Sequence, residues 1–223
     1  MRRYGGFRRI CQLLALAALA LMPQEVTAAR PAGAAPPRLI LAFGDSLTAG
    51  YLLKPAESFP AQLETALRAQ GRNVVVRNAG VSGDTTAQGR ARLGWVLAGL
   101  KAKPDLVILQ LGANDMLRGQ PPAAARANLD AILGEFAKRG VPVILAGMFA
   151  SPNLGAAYAR EFNAIYPDLA KSRGATLYPF FMAGVVGGKG LQLADGLHPT
   201  RAGVAVIVRG ILPTMTRALD KPK

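Results

Sequence analysis

The chain has 223 residues, 51% hydrophobic and 18% charged, which suffices to bury the core of one medium-sized domain. Its 27 Lys and Arg against 13 Asp and Glu give a formal net charge of +14, a balance that favours anionic surfaces such as lipid headgroups, an anionic envelope or acyl-CoA phosphates. A single cysteine and a single histidine exclude a disulfide framework and a thiolate or imidazole metal cluster, and no motif or aromatic-interleaved basic run supports a nucleic-acid partner.

The first segment, 1–29, has Arg2, Arg3, Arg8 and Arg9 before the apolar run ICQLLALAALALM, and small residues ending at Ala28 or Ala29. This is the pattern of a secretory signal peptide, with an uncleaved N-terminal anchor as the alternative. Cleavage would remove Cys11, leave 23 basic against 12 acidic residues, and predicts a periplasmic or secreted protein. RPAGAAPP (30–37) is a flexible Pro/Ala linker.

From residue 38 apolar runs alternate with helical patterns. RLILAF (38–43) reads as a strand, 58–70 as a helix ending at Gly71, NVVVRN (73–78) as the second strand and 86–100 as a helix. DLVILQL (105–111) is a continuous aliphatic strand, as expected when both faces are buried. A helix over 121–139 begins at Pro121 and Pro122, stops at Gly140, and leads into PVILAGM (142–148). A helix at 155–173 precedes a short strand around ATLYP, and a last helix runs from just past Pro199 to about 219. Such alternation predicts an α/β fold with a parallel sheet, doubly wound, in one catalytic domain over 38–220.

Ligands of an open parallel sheet bind beyond the carboxyl ends of its strands. GDS follows the first predicted strand, GVSGDTT the second and GANDMLRG the third, while ADGLHP lies after the last. Ser46, Gly83, Asn114 and His198 are thereby brought to one rim. Ser46 offers a hydroxyl at a strand-to-helix turn, with Asp45 able to accept hydrogen bonds from the loop. His198 is the chain's one imidazole, and Asp195 stands three residues before it, close enough to orient Nδ1 while Nε2 faces the serine. The N–H groups of Ser46 and Gly83 and the Asn114 amide are candidate oxyanion donors. GDS or GAND alone reads equally well as a cap or a turn; their coincidence with Asp195 and His198 carries the catalytic reading. The glycine-rich AGVVGGKG (183–190) is expected to be a mobile loop beside the site.

The strings LAFGDSLTAGY, NAGVSGDTTAQGRARL, LQLGANDMLRG, FNAIYPDLA, LYPFFM and DGLHP together resemble the GDSL esterases of the SGNH hydrolase superfamily, in the branch of arylesterases, acyl-CoA thioesterase I and lysophospholipases. The resemblance covers almost the whole chain after the signal. It implies a flavodoxin-like three-layer α/β/α sandwich with a five-stranded parallel sheet, a Ser46–His198–Asp195 triad, and an oxyanion hole of Ser46, Gly83 and Asn114. It also implies a periplasmic or secreted hydrolase of esters, thioesters or lysophospholipids that needs no cofactor; the single histidine leaves no metal cluster, and no obligate protein partner is evident from the sequence. Ala113 stands where the family's third block commonly has glycine, and Leu154 where an aromatic often follows Asn153. Met148, Phe149, Pro152, Asn153 and Leu154, together with Asp45, are assigned to the substrate side, and the loops Met148–Leu154 and Val185–Leu191 to the acyl groove. A carbohydrate O-deacetylase of the same superfamily is the enzyme alternative, for which Trp95 is the only tryptophan available. A noncatalytic exported binding protein is the remote one. Peripheral contact with an anionic membrane is a further expectation from the charge.

Overall fold

The computed structural model describes residues 35–221. The signal segment expected at 1–29 and the linker up to residue 34 lie outside them, and 35–37 carry no regular secondary structure. Five apolar runs form one parallel sheet: β1 (Arg38–Gly44), β2 (Val74–Gly80), β3 (Leu106–Gln110), β4 (Val143–Ala146) and β5 (Thr176–Tyr178). Their spatial order is β2-β1-β3-β4-β5, every pairing parallel. Ile40–Phe43 of β1 and all of β3 are buried. Side chains alternate across a sheet, so strands this apolar must be covered on both faces.

The covering elements are α2 (Phe59–Ala69), α3 (Thr86–Ala98), α5 (Pro122–Lys138), α6 (Ala156–Arg173) and α7 (Arg201–Asp220), with two single-turn helices, α1 (Ser46–Ala49) and α4 (Ala113–Leu117), at strand exits. Right-handed crossovers place α2 on one face and α3, α5 and α6 on the other. Contacts agree: α3 meets α5, α5 meets α6, and α7 lies against α2. The last helix turns Val204, Ile207, Val208, Ile211, Met215 and Leu219 inward at spacings of three and four, the stripe that an amphipathic helix buries. The result is the three-layer arrangement expected from the sequence, and the major elements agree with their predicted bounds to within about two residues. The single turns α1 and α4 are too short to leave a periodic signal.

Topology then sets where a ligand can sit. From β1 the chain steps outward to β2, then crosses back past β1 to β3, so connections leave β1 and β3 in opposite directions and open a crevice between them. Gly44 and Gln110 are register partners at the two strand ends. A Cβ on Gly44 would lie 2.1 Å from Thr48 Oγ1 and 2.5 Å from the Gln110 carbonyl oxygen, so only glycine lets the chain turn into α1 here.

Candidate active site

Asp45 caps the turn that carries the serine: its Oδ1 accepts from Leu47 N–H at 3.0 Å. Its side chain is fully buried, and that burial raises its pKa to about 7 against the pull of the Leu47 amide, the Gln110 side chain and His198. The turn is pinned to β3 by Thr48 Oγ1, which donates to Gln110 Oε1 at 2.7 Å. Ser46 therefore stands at the first position of a rigid helical turn, directly above the switch between β1 and β3.

The histidine arrives from the other end of the domain. Its loop is held by backbone bonds from Leu193 N–H to His198 O (2.8 Å) and from Thr200 N–H to Leu191 O (2.9 Å), and Thr200 caps α7 immediately afterwards. Within it Gly196 has φ +68°, the left-handed conformation that folds Asp195 back toward the ring. Asp195 Oδ1 accepts from the N–H groups of Leu197 (2.9 Å) and His198 (3.0 Å). Asp195 Oδ2 lies 2.6 Å from His198 Nδ1, and His198 Nε2 lies 2.9 Å from Ser46 Oγ. The His198 amide first, then that of Leu197, holds the Asp195 carboxyl down to about pKa 2, so it is ionised at neutral pH. Nδ1 thus donates to a carboxylate, leaving Nε2 as an acceptor for the serine proton. Tyr51, just past the left-handed Gly50 that ends α1, lays its ring against His198 with centroids 4.5 Å apart.

A second network builds the opposite wall. Gly112 has φ +114°, and a Cβ there would meet the Tyr166 hydroxyl at 2.2 Å, so the exit of β3 also requires glycine. Asn114 follows in α4, its Nδ2 donating to Asp84 O at 3.0 Å. The segment of Asp84 is in turn clamped. Arg92 binds the Asp84 carboxylate through Nε (2.5 Å) and Gly44 O through Nη2 (2.9 Å), its guanidinium 4.1 Å from the centre of the Phe43 ring. Asp115 accepts from Thr86 N–H (2.8 Å) and Oγ1 (2.6 Å), and Arg118 donates to Gly83 O (2.8 Å). Gly83 itself has φ +86°, and a Cβ there would meet only Arg118, at 3.8 Å.

Between the two walls runs a groove of about 430 Å³ that Ser46, Asn114 and His198 line. Met148, Phe149 and Pro152 line it, as does Val186 from the glycine-rich segment, while Phe180, Met182 and Leu117 add apolar wall that the sequence reading did not name. Phe149 and Phe180 stack with centroids 4.8 Å apart. Three expected substrate-side residues are elsewhere. Asp45 is the buried cap, Asn153 faces solvent, and Leu154 packs against the core from a short 3-10 turn. Gly83 does not wall the groove but anchors its edge. Trp95 is 81% exposed on α3 and is not part of the groove. Sequence reasoning also missed Tyr51 and Arg92. A signal for Arg92 existed, since it falls three residues after buried Gly89 and beside buried Leu93, on the inward stripe of α3.

The sequence pattern of the GDSL-like lipase/acylhydrolase family matches residues 42–206. An arylesterase of Vibrio mimicus is 41% identical over 160 residues, covering 72% of this chain and 79% of the relative. The thioesterase 1/protease 1/lysophospholipase L1 of Escherichia coli K12 is 38% identical over 162 residues, 73% of this chain and 76% of that protein. Among solved structures, AlinE4, an SGNH-hydrolase family esterase, superposes with a TM-score of 0.71 at 50% identity, covering 84% of this chain and all of the other.

Proposed function

Since this chain belongs to the GDSL-like lipase/acylhydrolase family and is a carboxylic ester hydrolase, we propose that Ser46, His198 and Asp195 carry its acyl transfer as nucleophile, general base and orienting carboxylate. The observation that supports this most directly is the unbroken line from Asp195 Oδ2 through the imidazole to Ser46 Oγ, at 2.6 and 2.9 Å. His198 Nε2 takes the Ser46 proton as Oγ bonds to the acyl carbon, and the carbonyl electrons move onto oxygen. The N–H groups of Ser46 and Gly83 and the second N–H of the Asn114 amide receive that oxyanion; the first N–H is committed to Asp84 O. Collapse expels alcohol or thiol, protonated by His198. Water, deprotonated by the same ring, then releases the acid.

Esters of aliphatic acids are the substrate class that this groove fits, with acyl thioesters and lysophospholipids alongside, since Met148, Phe149, Phe180 and Met182 make much of its wall apolar. Those walls do not favour carbohydrate O-deacetylation. Each methylene buried there is worth about 0.8 kcal/mol, so kcat/KM for p-nitrophenyl esters should rise roughly fourfold per added methylene until the groove is full. Ser46→Ala should abolish turnover and covalent labelling by a fluorophosphonate. Parent-level hydrolysis of p-nitrophenyl acetate by that variant sinks the assignment. Residues 1–29 act in this reading as a cleaved export signal, which N-terminal sequencing of the mature protein tests.

A further inference from the structure

Eight large apolar side chains are strongly exposed among the described residues. Seven of them sit in the loops that leave the carboxyl ends of the strands. Tyr51 and Leu52 follow β1, Val81 follows β2, Leu117 ends the turn after β3, and Phe149 follows β4. Val186 and Leu197 follow β5. The eighth, Trp95, stands on a helix. Scattered exposed hydrophobics are ordinary on a soluble protein, but Leu117, Phe149, Val186 and Leu197 line the groove itself and Tyr51, beside Leu52, packs on the His198 ring that lines it.

Leu52 sharpens the point. It is 76% exposed and has φ +58°, the only non-glycine residue with positive φ among those described. A leucine in the left-handed region is strained, and one that buries little gains nothing from packing to offset that strain. Glycine or asparagine would serve the fold better here, so the side chain answers to something outside the fold. The charges of the same loops name what that is. Lys54, Lys189 and Arg201 are exposed, and Arg118 with them, whereas Asp84 and Asp115 are buried. Among the described residues of these loops, Glu57 and the triad carboxylate Asp195 oppose them.

We infer that this apolar rim, flanked by Lys54, Arg118, Lys189 and Arg201, docks onto an anionic lipid surface, with Leu52 seated in the headgroup boundary and the groove mouth facing the lipid. Apolar side chains at the interface and cations drawn to anionic headgroups are the two components of peripheral membrane binding. A monoacyl lipid would then pass from the surface into the groove tail first without crossing water. This rests on the ester-hydrolase reading of the groove, but its test is separate.

The full chain is co-sedimented with vesicles of phosphatidylcholine, with and without phosphatidylglycerol. Binding is expected only with the anionic lipid, and to weaken as salt shortens the screening length. Lys54→Glu and Leu52→Asp should each lower vesicle partition about tenfold, with p-nitrophenyl acetate hydrolysis at the parent rate. Leu52→Asn, which suits the left-handed backbone, should bind more weakly while melting at an equal or higher temperature, so a folding defect is not mistaken for a docking defect. Ser46→Ala should bind as the parent does. Equal binding by parent and rim variants overturns the proposal, as it would if the apolar N-terminal segment alone held the chain. A parent oligomer that Leu52→Asn dissolves also overturns it, assigning the rim to a second copy of the chain. Loss of ester hydrolysis in the parent would refute the catalytic reading instead.

Discussion

Removing the Arg92 guanidinium tests how the oxyanion wall is held. Arg92 and Asp84 are 17% and 9% exposed at their side chains, so Arg92→Ala leaves a nearly buried carboxylate without its partner and Gly44 O without its donor. Breaking a buried pair costs 3–5 kcal/mol, and this one, which retains some water contact, should fall near about 3 kcal/mol. At this chain length 1 kcal/mol moves Tm by about 2–4 °C, which predicts a drop of about 6–12 °C. The kinetic consequence is separable, because Asn114 is fixed by the carbonyl of the residue whose carboxylate Arg92 grips. Losing an oxyanion donor outright costs about 10²–10³ in kcat; with Asp115–Thr86 and Arg118–Gly83 still tethering the loop, about 10–10² is expected. KM should change little, since the apolar walls are untouched. Arg92→Lys keeps the charge but cannot span both acceptors, so it should fall between parent and Ala. Thermal unfolding and steady-state kinetics on p-nitrophenyl butyrate read both effects. A variant that melts early yet retains the parent kcat would refute the claim that Asn114 depends on this clamp.

Asn114→Ala should lower kcat by about 10²–10³ with KM near its parent value, because the amide acts on charge that develops only in the transition state; a change confined to KM would remove it from the oxyanion role. Asp45 bears on pH. Its folded pKa, raised to about 7, exceeds the unfolded value near 3.8, so the folded state holds the extra proton between those values and stability falls as pH rises from about 4 to 7. Asp45→Asn, which can still accept from Leu47 N–H, should flatten that slope in Tm measured across pH; an unchanged slope refutes the assignment. Asp195 runs the other way: its pKa is depressed to about 2, so its contribution is present above about pH 4 and is lost as pH falls toward 2.

The sheet was legible because each strand is a short, nearly continuous aliphatic run bounded by glycine, proline or asparagine, and such runs have few other uses. The Asp195–His198–Ser46 cluster was legible because one imidazole leaves one candidate base, and because Asp195 and His198 are near in sequence. What stayed hidden depends on contacts across the chain. Asp45 looked like a substrate ligand until its burial against β3 was visible, since a carboxylate beside a nucleophile reads the same whether it points into a groove or under it. Tyr51 meets His198 only after the α1 turn closes, and Phe180 meets Phe149 across two loops. Leu154 occupies a position associated with substrate but turns inward to the core, because Ser151–Pro152 starts a 3-10 turn that rotates it away. Groove walls are made of pairs from different strand exits, and no window along one segment records such a pair.

Ser46 and His198, the proposed nucleophile and base, lie 152 residues apart, toward opposite ends of the described sequence. The ring is delivered by the segment that leads into α7, and α7 rests on α2, which follows the serine turn. On the proposed catalytic reading, a polypeptide emerging from the ribosome, or threading any narrow passage, is expected to hydrolyse nothing until α7 has settled. The order of the elements alone would keep it latent until then.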